Sequence, residues 1–337
     1  MSYMDFVKLY AADVKSTPEK LLAQSPPSFP ISSNARGEAL VGFLQRAVNI
    51  DLRHLRVLDV GCAYGGLSIA MAQAGASVKA VDVSSKFIDY ARTNMEGVVD
   101  IETKVMDASS IDMRREFEPR SFDLILLNDV LEHIYDTTSL VANLDYLLGD
   151  KGAIYFKVPN GLSPRFALSE GHRKIFGLTL LDPDCWFHLY PKRASIFYRP
   201  INYFNAIFSY YGFTDRLYID EEEVFRRFSK KKLKAGIKQI YDHSRTFQYP
   251  DASVKQYLRA GIKRFRDEYE YDSTAFDEDF LKFKYGSYFF TGFASRAGAG
   301  LKARGATRQI DTIGLVASRD SAGWPVRGPA QDQAVPS

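Results

Sequence analysis

The sequence predicts an α/β fold built on a Rossmann-like, mostly parallel, seven-stranded sheet flanked by helices. Apolar strand-like runs alternate with helix-like segments between residues 56 and 160. The first run enters a glycine-rich turn, GCAYGG, which opens into an apolar segment that can form a helix. Several of the runs end in an acidic residue. Strands that alternate with helices form parallel sheets with right-handed crossovers, and their carboxyl ends bind ligands.

The elements follow in order along the chain. Five strands are expected at 56–61, 78–83, 101–107, 122–129 and 153–160. The helix at 67–74 ends before Gly75, and Ser84 or Ser85 can cap the next helix. The nearly continuous apolar run at 122–129 is typical of a central strand covered on both faces. A sixth strand is expected at 214–220 and the last at 287–296.

Composition divides the chain into five segments. Residues 1–55 are expected to cover the core, which occupies 56–219, and 286–296 return to it as the last strand. A mainly helical insertion is expected at 220–285. The segment 297–337 is rich in Gly, Ala, Arg and Pro and has no apolar period, so a disordered tail is expected there.

Overall composition excludes several classes of protein. The 337 residues are 46% hydrophobic and 25% charged, with a net charge of +3, which does not indicate a nucleic-acid-binding polycation. Cys62 and Cys185 are too few for a disulfide framework. The first residues lack the pattern of a signal peptide, and no apolar stretch is long enough to span a membrane. A cytoplasmic location is therefore expected.

The glycine turn is compatible with two kinds of nucleotide-like ligand. A dinucleotide fold favours G-x-G-x-x-G, but Ala63 stands at the second glycine position. Asp59, inside the first strand, would repel a pyrophosphate but suits a ligand that carries an ammonium and a sulfonium. Asp82 ends the second strand, where a carboxylate can bind two ribose hydroxyls. These features favour the second kind of ligand.

Residues 56–160 resemble the class I S-adenosylmethionine-dependent methyltransferases. The resemblance rests on VLDVGCAYGG, AVDVS, VMDAS, SFDLILLNDVLEHI and LLGDKGAIYFKVPN, in that order. It implies S-adenosyl-L-methionine as the cofactor. It assigns the methionine part to Asp59, Gly61, Ala63, Gly65 and Asn128, the ribose to Asp82, and the adenine to Val83, Asp107 and Ala108. Ala63 departs from the family's usual glycine, and alanine is tolerable there if its φ is negative.

Transfer to a hydroxyl also requires a general base. His133, in LEHI just after the fourth strand, is the first candidate for this base, and His172 and His188 in the segment 161–200 are the others. The spacing of His, Asp and Glu in the segment 161–200 does not predict a metal site.

The acceptor is predicted less directly. The segment 161–200 mixes acidic, aromatic and histidine side chains, which suits O-methylation of a saccharide or glycan. A quinone or other small-molecule acceptor is the alternative within the class. A non-catalytic cofactor-fold binding protein and a dinucleotide oxidoreductase are alternatives outside it. The basic segment from Phe225 to Lys238, FRRFSKKKLKAGIK, could contact a membrane surface or a phosphate-bearing substrate, or form a solvated helix face.

Overall fold

A computed structural model describes residues 2–48, 50–172, 174–181, 196–218, 229–249 and 252–297. Seven strands form one sheet in the order β3-β2-β1-β4-β5-β7-β6. They are β1 Arg56–Val60, β2 Ser77–Asp82, β3 Glu102–Val105, β4 Phe122–Asn128, β5 Leu148–Pro159, β6 Asp215–Tyr218 and β7 Phe289–Ser295. Strands β1 to β5 pair in parallel, whereas β7 runs antiparallel to both β5 and β6. The Rossmann-like α/β fold is therefore confirmed.

Helices cover the sheet. They are α1 Ser2–Asp13, α2 Pro18–Leu22, α3 Ser33–Val48, α4 Gly66–Gln73, α5 Ser85–Met95, α6 Asp112–Glu116, α7 Thr137–Leu147, α8 Pro164–Leu168, α9 Ile201–Tyr210, α10 Lys230–Thr246, α11 Ala252–Ala275 and α12 Glu278–Leu281. Two 3₁₀ turns, Leu131–His133 and Leu178–Leu180, and a π-helical turn, Lys282–Gly286, complete the described elements. Ser84 caps α5 by accepting a hydrogen bond from the Phe87 amide.

The core lies on both faces of the central strand β4. Leu124 and Leu126 pack on one face with α3 and α4, while Ile125 and Leu127 pack on the other with α7 and α9. All four side chains are almost completely buried. The continuous apolar run predicted this two-sided burial, because parallel sheets are covered by helices on both faces.

Two strand boundaries differ from the prediction. Strand β5 begins at Leu148 rather than at 153, because Phe122 pairs with Leu148 before the register shifts at the next pair, Leu124 with Ala153. The predicted turn at 149–152 is therefore an irregular part of the strand. Strand β3 covers only Glu102–Val105, since its pairing with β2 ends there.

The N-terminal helices pack beside the glycine turn. Helix α1 contributes Phe6 and Tyr10 to an aromatic cluster with Tyr64 of the turn and Tyr90 of α5. Helix α3 crosses α4 so closely that a Cβ on Gly37 would overlap the Gly66 carbonyl oxygen. This close approach fixes the first turn of α3 next to the carboxyl edge of the sheet.

Helices α10 and α11 pack on the segment 167–181 and form a second apolar cluster. Leu233 and Ile237 of α10 are buried in this cluster, which leaves the exposed lysines as the surface of the described part of the basic segment. Residues 225–228 of that segment lie outside the described residues, as does the predicted tail from 298 onward. No helix in the described ranges is long and apolar enough to cross a bilayer. The predicted domain boundaries stay predictions.

Candidate functional site at the carboxyl edge of the sheet

The glycine turn after β1 is held against β2. The amides of Gly61 and Cys62 both donate to the Val81 carbonyl oxygen, at 2.8 and 3.1 Å. Asp59 lies beneath the turn, 2% exposed, and accepts a 2.5 Å hydrogen bond from the Ser68 hydroxyl. Burial raises the pKa of Asp59 to about 7, which the Ser68 hydrogen bond opposes. This carboxyl therefore favours a nearby cation.

Asp82, at the end of β2, faces the same turn. Its carboxylate accepts hydrogen bonds from the amides of Ala63 (3.0 Å) and Ser84 (2.9 Å). Burial raises the pKa of Asp82, while these two hydrogen bonds and the charge of His133 lower it. Each carboxylate oxygen keeps acceptor capacity for a further donor such as a ligand hydroxyl.

Ala63 adopts a left-handed backbone conformation, with φ of 47°. The condition that the sequence set for alanine at this position, a negative φ, is thus not met. The turn also contains Gly61 and Gly65 at φ of 72° and 76°, so its backbone is left-handed at three of its residues. The hydrogen bond from the Ala63 amide to Asp82 stabilises this conformation at a residue whose Cβ opposes it.

Replacing Ala63 with glycine is expected to stabilise the protein by about 1 kcal/mol, because glycine has no Cβ clash at positive φ. Thermal unfolding should shift upward by roughly 2–4 °C. Ala72, inside helix α4, is the matched control, since glycine there should destabilise by a similar amount. A lower melting temperature for Ala63→Gly would contradict the strain at this position.

The ends of β2 and β3 place three more of the predicted residues. Val83 is 72% exposed directly after β2, and Ala108 is buried. Asp107 is exposed and accepts hydrogen bonds from the amide and the hydroxyl of Ser109 through one carboxylate oxygen. Asp107 therefore caps the turn after β3, and its second oxygen remains available to a ligand.

The end of β4 holds an ion pair that the sequence did not predict. Arg36, from the first turn of α3, lies 3.2 Å from Asp129 Oδ2. Asn128, the predicted residue, donates to the same oxygen at 3.2 Å. Asp129 has a φ of 58°, and its Oδ1 atom is buried without a hydrogen-bond partner. An acidic and a basic group thus face each other beside the glycine turn, with one acceptor still open.

Two of the three predicted histidines meet at this edge. The rings of His133 and His172 lie edge to face, with centroids 4.8 Å apart. His133 is in the 3₁₀ turn after β4, and its charge reaches Asp82. His188 lies outside the described residues.

Glu132 lies beneath the histidine pair and is fully buried. Neither of its carboxyl oxygens has a hydrogen-bond partner. Burial, and then the nearby Asp129, raise the pKa of Glu132 well above its ordinary value. One ligand atom each of Glu132, His133 and His172 lie within 4.8 Å of one another. The sequence spacing predicted no metal ligands in the loop, but the fold gathers three side chains of metal-binding type here.

A buried carboxylate and a tyrosine contact His172 from the other side. Glu170 is fully buried and accepts hydrogen bonds from the His172 amide (2.7 Å) and the Tyr198 hydroxyl (3.1 Å). The same hydroxyl lies 3.1 Å from His172 Nδ1. Burial, and then Glu170, raise the pKa of Tyr198, so its hydroxyl stays protonated. The sequence offered no signal for Tyr198, which is one tyrosine among 20.

The comparisons with known proteins agree with this geometry. A family model described as a methyltransferase domain matches residues 33–215, which is more than half of the chain. The ubiquinone biosynthesis O-methyltransferase of Xanthomonas euvesicatoria is 33% identical over 124 residues, 36% of this chain and 51% of that protein. The enzyme of the same name from Neisseria meningitidis is 34% identical over 113 residues, 33% of this chain and 46% of that protein. The chain thus spans about half the length of the curated relatives that it matches.

Two solved structures give the range of the structural similarity. The phosphoethanolamine N-methyltransferase 2 of Haemonchus contortus, in complex with S-adenosyl-L-methionine, is 18% identical at a TM-score of 0.45, over 88% of this chain and 60% of that one. A methyltransferase from Archaeoglobus fulgidus is 15% identical at a TM-score of 0.44, over 87% of this chain and 100% of that one. From the family model and the geometry of the glycine turn, the chain belongs to the class I S-adenosylmethionine-dependent methyltransferase family.

Proposed function

We propose that this protein transfers a methyl group from S-adenosylmethionine to a hydroxyl group of a small aromatic acceptor. The observation that carries the proposal is the histidine pair, His133 and His172, at the mouth of the crevice that the glycine turn and Asp82 form. Transfer to oxygen requires removal of a proton, and imidazole is the side chain best suited to this role near neutral pH.

The residues at the sheet edge fit the cofactor. Asp82 is placed to accept the ribose hydroxyls, as acids at this position do in nucleotide-binding sheets. Arg36 and Asp129 offer opposite charges for the carboxylate and the ammonium of the methionine part, and the open Oδ1 atom of Asp129 supplies an acceptor. The bound cofactor supplies an electrophilic methyl group on a sulfonium.

Aromatic side chains near the histidines favour a planar acceptor. Phe166 contacts both Tyr198 and Phe289, at centroid distances of 6.4 and 5.8 Å, and Lys157 lies over the Phe289 ring at 4.4 Å. Relatives named as ubiquinone O-methyltransferases support the same class.

The saccharide acceptor, which the sequence favoured, is left without support. Glu170, one of the acids expected to bind sugar hydroxyls, is fully buried and bonded to Tyr198 and His172. Asp182, Asp184 and Trp186, from the same expected set, lie outside the described residues. We therefore propose the quinone-type alternative in place of the glycan.

A paired acceptor assay tests the proposal. The full chain is incubated with S-adenosylmethionine and either 3,4-dihydroxybenzoate or methyl glucoside, and the products are analysed by mass spectrometry. Methylation of the phenol but not of the sugar is the expected result. Transfer only to the sugar would restore the glycan interpretation. Cofactor binding without transfer to either would favour a non-catalytic binding protein.

Substituting Asp82 with alanine should weaken S-adenosylmethionine binding about tenfold or more, because a hydrogen bond to a charged group contributes roughly 1.5–3 kcal/mol. Isothermal calorimetry measures the change. Asp82→Asn retains an acceptor for the turn amides and separates loss of charge from loss of the turn. Asp51, exposed at the opposite edge and paired with Arg53, is the matched control. Unchanged affinity in Asp82→Ala would refute the ribose assignment.

A further inference from the structure

We propose that Glu170 and Tyr198 form a buried positioning relay that fixes the tautomer of His172 and makes its Nε2 atom the proton acceptor of the methyl transfer. The inference rests on the proposed function and deepens it, because it names one histidine of the pair and the residues that control it. It is carried by three hydrogen-bonding groups at contact distance from one another.

The direction of each hydrogen bond follows from the chemistry of the groups. An ionised carboxylate can only accept, so the single proton of the Tyr198 hydroxyl goes to Glu170 Oε2, 3.1 Å away. The phenol oxygen is then left as an acceptor 3.1 Å from His172 Nδ1. A neutral imidazole that donates from Nδ1 carries its lone pair on Nε2. The relay therefore leaves Nε2 as the basic atom.

The position of Glu170 explains why the relay is fixed. Its carboxylate is fully buried, and it also accepts the His172 amide at 2.7 Å, so backbone and side chain of the histidine are held by one group. The direct distance from Glu170 Oε2 to His172 Nδ1 is 3.8 Å, too long for a hydrogen bond. Tyr198 is thus the link through which the carboxylate acts on the ring.

During the transfer, the acceptor oxygen gains the methyl carbon as the bond from that carbon to sulfur breaks. The hydroxyl proton passes to His172 Nε2, and the ring becomes an imidazolium with a proton on each nitrogen. Nδ1–H still donates to Tyr198, whose own proton remains on the Glu170 side. The negative charge of Glu170 stabilises the imidazolium across the tyrosine, as a buried carboxylate does for a catalytic histidine.

Nitrogen NMR of histidine-labelled full-length protein tests the relay directly. A spectrum of His172→Gln assigns the ring signals of His172 by difference. The wild-type ring is expected to carry its proton on Nδ1 at a pH where it is neutral. In Tyr198→Phe the hydroxyl is gone, and the proton should move largely to Nε2. Tyr203→Phe is the matched control, since it removes a hydroxyl bonded to Thr137, outside the relay.

Kinetics give a second measurement on the same variants. Tyr198→Phe should lower kcat about tenfold with little change in the KM for the cofactor, because one hydrogen bond to the base is lost. Glu170→Gln should act in the same direction, and Tyr198→Phe keeps the test valid if the buried glutamine impairs folding. Wild-type His172 with its proton on Nε2, or an unchanged tautomer in Tyr198→Phe, would overturn the relay.

The two proposals fail in different ways. If the protein methylates no hydroxyl but Tyr198→Phe shifts the tautomer, the relay holds and the proposed function falls. If methyl transfer occurs while the tautomer and kcat of Tyr198→Phe match those of Tyr203→Phe, the function holds and the relay falls.

Discussion

Replacing His172 with alanine is expected to lower kcat for O-methylation by roughly 100-fold to 10,000-fold, the usual contribution of a positioned general base. The ring lies at the histidine pair, 4.8 Å from His133, with its Nδ1 atom 3.1 Å from the Tyr198 hydroxyl. Cofactor affinity should stay close to that of the wild type, since Asp82 and the glycine turn are unchanged. Single-turnover kinetics with a saturating phenolic acceptor would isolate the chemical step.

The ranking of variants decides which histidine acts. His133→Ala is expected to lose less activity than His172→Ala, because His133 contacts the ring of the base but has no equivalent of the Glu170 relay among the described contacts. His54→Asn is the matched control, as that histidine is exposed before β1, at the opposite edge of the sheet, and its φ of 66° is tolerated by asparagine. A larger loss in His133→Ala would move the role to His133, the first candidate from the sequence.

Much of the fold could be predicted because its signals are local. Strands β1, β2 and β4 combine an apolar run with a polar end, and each feature occupies fewer than ten neighbouring residues. The start of β5 could not be predicted in this way. It depends on the pairing of Leu148 with Phe122, a partner more than 20 residues away, and a register shift leaves no mark in the local pattern.

The candidate site divides along the same line. Asp82 and Asn128 follow from the ends of their own strands, and His133 from its place after β4. Arg36 reaches Asp129 across 93 positions, and Tyr198 reaches Glu170 across 28, so neither contact has a sequence spacing that could indicate it. The conformation of Ala63 was open to prediction only as a condition, because the turn geometry sets φ and the residue type does not.

The largest effect on stability is expected at Lys284. Its ammonium lies 2.5 Å from Asp272 and 2.7 Å from Glu268, and Tyr285 donates to Asp272 at 2.6 Å. Lys284 and Asp272 are both buried, on the π-helical turn before β7 and on α11 respectively. The cluster thus joins the helical segment to the strand that pairs with β5.

Lys284→Met should destabilise the protein by about 3–5 kcal/mol, because it leaves the Asp272 carboxylate buried with only the Tyr285 hydroxyl. Denaturant unfolding measures the change, and Lys238→Met is the control, since that lysine is exposed and pairs with Asp242 on the helix surface. Adding Asp272→Asn to Lys284→Met removes the uncompensated charge and keeps an acceptor for Tyr285. The double variant should therefore be more stable than Lys284→Met alone. If the two substitutions instead destabilise additively, the cost would come from lost packing of the lysine stem, and the buried charge would not be its cause.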